Sequence, residues 1–165
     1  MKTIDTRDLY KRKCELESYR DDLTTAKETL AEAEKALAAF DPDRPDVAPD
    51  DEAWHEEKEG LEEAVEDAQG EVEAAEGYFG PSEEEELAEL ETIENEVSEF
   101  MHGETLIPEV AFEDYAREVA EDIHGRSIRD AQWPFTCIDW SEAADELRQD
   151  YSEIEYQGTT YLFRS

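Results

Sequence analysis

Two cysteines in 165 residues, Cys14 and Cys137, are far apart in sequence and show no metal or redox spacing, so both are expected to be ordinary reduced thiols. Basic residues are also scarce: fifteen Lys and Arg stand against forty-nine Asp and Glu, a formal net charge of −34. That balance argues against direct binding of nucleic acid or an anionic membrane, because both repel carboxylates. No run of eighteen apolar residues occurs, and the opening MKTIDTRDLYKRKCELE lacks the apolar core of a secretory signal. A cytoplasmic protein is the expectation. Gly-rich phosphate loops are missing too, as is any recognisable Ser, Cys or Asp constellation around a histidine. What the chain does hold is aromatic residues, with three Trp, seven Tyr and six Phe. Chains disordered by composition are poor in these, so a folded protein is expected.

The charge is unevenly spread. Residues 1–40 hold eight Lys and Arg against nine acids, a net of −1, and residues 41–102 hold two against twenty-five, a net of −23. Residues 103–165 hold five against fifteen, a net of −10. The near-neutral first segment carries Leu9, Leu16, Leu23, Leu30 and Leu37 every seventh residue, with Tyr19, Ala26, Ala33 and Phe40 three positions after four of them. This is an a/d seam with Arg12 as its polar exception, and it predicts a helix ending at Phe40. Three prolines make 41–51 a loop.

A second helix is predicted over Glu52–Glu76, where Trp54, Leu61, Val65, Ala68, Val72 and Ala75 form an apolar stripe that Phe79 continues. The two helices make an antiparallel hairpin over 1–80, with Lys11, Lys13, Lys27 and Lys35 facing the acids of the second arm. After the turn Gly77–Pro81, the pair Ser82 and Glu85 has capping-box spacing for a third, acidic helix over 81–102, with Leu87, Leu90, Ile93, Val97 and Met101 inward. Capping alone does not need all four of Glu83, Glu84, Glu85 and Glu86.

From residue 103 the composition changes to a compact α+β module. Phe112, Tyr115, Ala116, Val119, Ala120 and Ile123 mark a short helix, Ser141 to Gln149 another, and 153–164 two strands around Gly158. Its expected core is Trp133, Phe135, Ile138, Trp140, Ile154, Tyr156, Tyr161 and Phe163. The fold class is therefore α+β, mainly α: a helical hairpin, a connecting acidic helix, and a module ending in a β-hairpin.

Candidate chemistry is thin. His55-Glu56-Glu57-Lys58-Glu59 lacks the second His of a zinc protease helix. Asp41, Asp43 and Glu52 match three calcium-loop positions, but Asp46 replaces the turn Gly and prolines fill two ligand positions. His102 and His124 each precede a glycine near a helix end, where a cation favours the dipole. Lys11-Arg12-Lys13, flanked by acids, reads as a solvated helix face. No catalytic residue, metal or cofactor is expected.

Charge spacing is more informative. Over about 37 Å of helix, Glu52–Glu76 displays eleven carboxylates, and duplex DNA carries about twenty-two charges over that length. Glu83–Glu99 adds nine more, so two such helices side by side approach the charge density of DNA. The expected partner-binding face comprises Glu56, Glu59, Glu63, Glu66, Asp67, Glu73, Glu83, Glu84, Glu85, Glu86, Glu91 and Glu94. Its expected partner is a basic nucleic-acid-binding protein, competitively inhibited.

The stretch Phe112–Ile123, then Trp133-Pro134-Phe135, Ile138-Asp139-Trp140, Ala143–Leu147, Asp150-Tyr151 and Gly158–Tyr161, resembles the tail of small acidic bacteriophage and prophage proteins, some of them similar to ArdA-like antirestriction proteins that act as DNA mimics. The likeness covers about residues 107–164. It implies a phage anti-defence protein acting on a host restriction enzyme, CRISPR effector or other defence nuclease. The helical hairpin departs from the ArdA pattern. Two other readings compete: a halophile protein whose acid serves only hydration, and a coiled-coil adaptor binding through its Leu seam, which can close within one chain or between two as a homodimer.

Overall fold

The computed structural model describes residues 3–40, 52–125, 128, 130, 133 and 135–164. The proline-rich 41–51, with Asp41 and Asp43 of the calcium-loop pattern, lies outside them, as do Pro134 and the side chain of Phe135. The fold is mainly α with a small antiparallel sheet, the class expected from the sequence. The chain divides into two compact units: Cys14–Glu85, which is helical, and Met1–Lys13 with Glu86–Ser165, which holds the sheet. The division differs from the expected boundaries at 80 and 102. The expected connecting helix is split, and most of it joins the sheet unit.

The helical unit contains residues 14–39 of α1 (Thr6–Ala39), all of α2 (Glu52–Glu76), and the first turn of α3 (Pro81–Glu96). The boundaries of α2 match the prediction, and α1 stops one residue before Phe40. The arms run antiparallel. Phe40, after the end of α1, meets Trp54 near the start of α2 at 5.3 Å between ring centres, and Tyr19 stacks on Tyr78 beyond the end of α2 at 5.7 Å. Along the seam Leu16, Ala26, Ala68 and Phe79 are buried, whereas Leu23, Leu30, Leu37, Leu61, Val65 and Val72 are half-buried. A two-helix hairpin gives each arm a single helical neighbour, so a seam of this kind is covered from one side.

In the sheet unit, β1 (Ile4–Asp5), β2 (Thr105–Pro108), β3 (Tyr151–Tyr156) and β4 (Thr159–Arg164) form one antiparallel sheet in the order β1-β2-β4-β3. Ile4 pairs with Leu106, Ile107 with Leu162, and Ile154 with Tyr161. The hairpin turns on Gln157 and Gly158, at φ 48° and 69°. Two positive φ angles define the primed turn that matches strand twist, and glycine accepts one of them without strain. One sheet face packs through Ile107 and Leu162 onto Phe112 and Ala116 of α4 (Phe112–His124) and Ala144 of α5 (Trp140–Leu147). Asp139 caps α5 by accepting from the N–H groups of Ser141 and Glu142.

Three core assignments need correction. The third helix ends at Glu96, after which the chain turns, so the helical period no longer sets which side faces inward. Phe100, 2% exposed and edge-on to Tyr10, takes the core place expected for Met101, which is 53% exposed. Trp133 is 82% exposed, outside the core, and Ile123 is likewise exposed at the end of α4. Ile154, Tyr156 and Phe163 are buried as expected, with Ile138, Trp140 and Tyr161 half-buried.

Candidate functional site

All eleven carboxylates of α2 are exposed. At 3.6 residues per turn, Glu56, Glu59, Glu63, Glu66, Asp67 and Glu73 fall within about 120° of arc, opposite the stripe of Trp54, Leu61, Val65, Ala68 and Val72. From Glu56 to Glu73 the rise is about 26 Å, so these six supply one charge per roughly 5 Å of axis, against one per about 3.4 Å along a single DNA strand. One helix face therefore carries about two-thirds of a strand's linear charge. Lys58 pairs with Glu62 at 3.2 Å within α2, and Lys27 with Glu76 at 3.4 Å. None of the six stripe residues forms an ion pair with a described residue. The helical unit as a whole holds twenty-six acids against five Lys and Arg, a net of −21, and the sheet unit twenty-three against ten, a net of −13.

The six α3 acids expected on the face behave differently. Pro81 opens the helix, and the Glu83 carboxylate reaches back to accept from the Gly80 N–H at 3.1 Å. Pro at the first helical position and an acid at the third are what a capped N-terminus favours. The cap is thus Gly80 with Glu83, in place of the expected Ser82 with Glu85. Glu84 and Glu85 are exposed, and Glu91 is half-buried. Glu86 accepts from the Arg12 guanidinium, with Nη2 at 2.8 Å, and from the Tyr156 hydroxyl at 3.2 Å. Glu94 is held by Lys13 Nζ at 3.2 Å.

Electrostatics follow from that geometry. The Arg12 guanidinium holds the Glu86 carboxyl below the usual glutamate range, against the opposing effect of partial burial, with the Tyr156 hydroxyl adding to the lowering. Burial, and then the Glu86 charge, push the Tyr156 hydroxyl up to about 12. Two of the twelve expected face residues, Glu86 and Glu94, are therefore neutralised within the sheet unit. The Lys11-Arg12-Lys13 run is correspondingly not a solvated face: Lys13 is buried, Arg12 is half-buried, and only Lys11 is exposed, paired with Asp8. Of the four lysines expected to face α2, Lys27 pairs with its Glu76, whereas Lys13 holds Glu94 of α3. Arg12 was the odd residue of the Leu seam. A polar residue at a seam position commonly fixes a specific pairing, and that was the available signal for the contact with α3.

Among the described residues, no group of three or more His, Cys, Asp or Glu side chains converges as metal ligands, and no helix is long and apolar enough to cross a membrane. No protein family, curated protein or solved structure matches the chain.

Proposed function

We propose that this protein is an acidic decoy for DNA, which occupies the basic nucleic-acid-binding groove of a partner protein and blocks it by competition. The observation that carries this is the α2 stripe: six exposed carboxylates on one side of a continuous helix, spaced near the charge interval of a DNA strand, with no ion pair to a described residue. Lys and Arg lining a groove would be neutralised by the stripe as they are by phosphates, and no catalytic group is required. The bacteriophage-like tail over about residues 107–164 supports an anti-defence setting, with a host restriction enzyme, CRISPR effector or other defence nuclease as target. Glu86 and Glu94 drop out of the binding face, and Glu84 and Glu85 remain.

Displacement of labelled duplex from a candidate defence nuclease, measured at 50 and 300 mM salt, tests the proposal. Affinity should fall steeply with salt, and amide replacement of the six stripe residues should abolish displacement. A flat salt response would refute it. The half-buried Leu23, Leu30, Leu37, Leu61 and Val65 favour a second reading, an adaptor that binds a helix through its seam. Charge reversal of Glu56, Glu59, Glu63 and Glu66 separates the two, since an adaptor keeps its partner and a decoy loses it.

A further inference from the structure

We infer that a cleft at the end of α2, where the chain turns into α3 beside α1, receives a single arginine side chain of the partner protein; the source of that arginine rests on the decoy reading, whereas the cleft's selectivity does not. The cleft lies wholly within the helical unit and has a volume of about 600 Å³, ample for one long side chain. Leu23, Phe79 and Pro81 give it an apolar lining, and Glu76 and Glu84 bring carboxylates to it. Such a combination suits a side chain with a long apolar stem and a cationic head.

Two cations, Arg20 and Lys27, also line the cleft and raise the alternative of an anionic occupant. Each already lies near a carboxylate, Arg20 at 3.8 Å from Asp21 and Lys27 at 3.4 Å from Glu76. An entering anion would meet Glu76 and Glu84 inside a unit of net charge −21. Charge therefore selects a cation. Glu84 is exposed and forms no ion pair with a described residue, which leaves it to receive the incoming charge. The Lys27–Glu76 pair is about half exposed at both ends, so Glu76 exchanges partners at little cost. A guanidinium, planar and with five donors, bonds two carboxylates at once, as an ammonium point charge does less well.

The test is a titration of the ¹⁵N-labelled protein with N-acetyl-arginine amide in 300 mM NaCl, where long-range attraction between exposed charges is largely screened. Amide shifts should concentrate at residues 20–27 and 76–84. Glu84→Gln, an isosteric change at an exposed position, should weaken the apparent Kd about three- to tenfold. Glu113→Gln, exposed in the sheet unit, should leave it unchanged. Shifts spread evenly along α2, an equal response to N-acetyl-lysine amide, or an unaltered Kd in Glu84→Gln would each overturn the assignment. The titration uses no partner protein, so failure of the decoy reading in the displacement assay and failure of the arginine site are separate results.

Discussion

Glu86→Gln removes a charge held by three hydrogen bonds from Arg12, at 3.2, 3.2 and 2.8 Å, and one from the Tyr156 hydroxyl at 3.2 Å. Exposed ion pairs contribute about 0.2–1 kcal/mol, and breaking a fully buried pair costs about 3–5 kcal/mol. The Glu86 side chain is 17% exposed and that of Arg12 37%, so solvent screening at the guanidinium places the loss between those limits, at about 1–2 kcal/mol at pH 7. The pH dependence has a definite sign. Arg12 holds the folded-state pKa of Glu86 below its unfolded value of about 4.3, so the unfolded chain takes up this proton first as pH falls. The stabilisation is fully present above about pH 5 and is lost as pH falls through the lowered folded value, and glutamine has no equivalent. Acid also relaxes the self-repulsion of a chain carrying −34 charges, but it does so in both proteins and cancels in their difference. Urea unfolding followed by circular dichroism at pH 7, 5 and 3 should show a gap between wild type and variant that narrows sharply at the lowest pH. A gap independent of pH, or one that widens in acid, would refute the coupling of Glu86 to Arg12.

Glu83→Ala should cost about 0.5–1 kcal/mol in thermal unfolding by loss of the bond to the Gly80 N–H, with Glu85→Ala nearly neutral; the reverse order would return the cap to Ser82 and Glu85. Replacing the six stripe acids of α2 by amides should stabilise the protein by about 1–2 kcal/mol in 10 mM salt. That figure counts four like-charge pairs at i,i+3 or i,i+4 (56–59, 59–63, 63–66 and 63–67), each worth about 0.2–0.5 kcal/mol. The gain should vanish in 0.5 M salt, and a melting temperature that drops in low salt would show that the stripe supports the fold.

The helices and the last hairpin were legible because their signals are local. Prolines separate α1 from α2 and follow α2 at Pro81, heptad leucines set the seam, and Gly158 marks a turn between alternating strands. β1 and β2 were invisible because two and four residues show no usable period, and their pairing joins Ile4 to Leu106 across a hundred positions. The α2 stripe was read correctly as exposed because acids opposite an apolar stripe have nowhere else to go. Glu86 and Glu94 of α3 were not, since whether a glutamate is solvated depends on which cation the fold brings to it. Nothing in the local pattern around Arg12 or Lys13 names Glu86 or Glu94. Met101 and Trp133 were misplaced for a related reason: hydrophobicity indicates that a residue can be buried, and the course of the backbone after Glu96 decides which one is.

The pairing of β1 with β2 also has a kinetic side. Thr6 donates its N–H to the Glu104 carbonyl and accepts the Glu104 N–H on its hydroxyl, at 2.9 and 2.8 Å, so the first described residues are anchored by a segment about a hundred positions later. At roughly 5–20 residues per second, a nascent chain holds β1 unpaired for about 5–20 s before Thr105–Pro108 is synthesised. The hairpin, whose contacts lie within 14–85, can assemble during that interval, and the sheet unit cannot. A fragment beginning at Gly103 would lack β1, Arg12 and Glu86 together. Residues 107–164 are thus not a separable module in the folding sense, and the edge strand of their sheet is supplied by the opposite end of the chain.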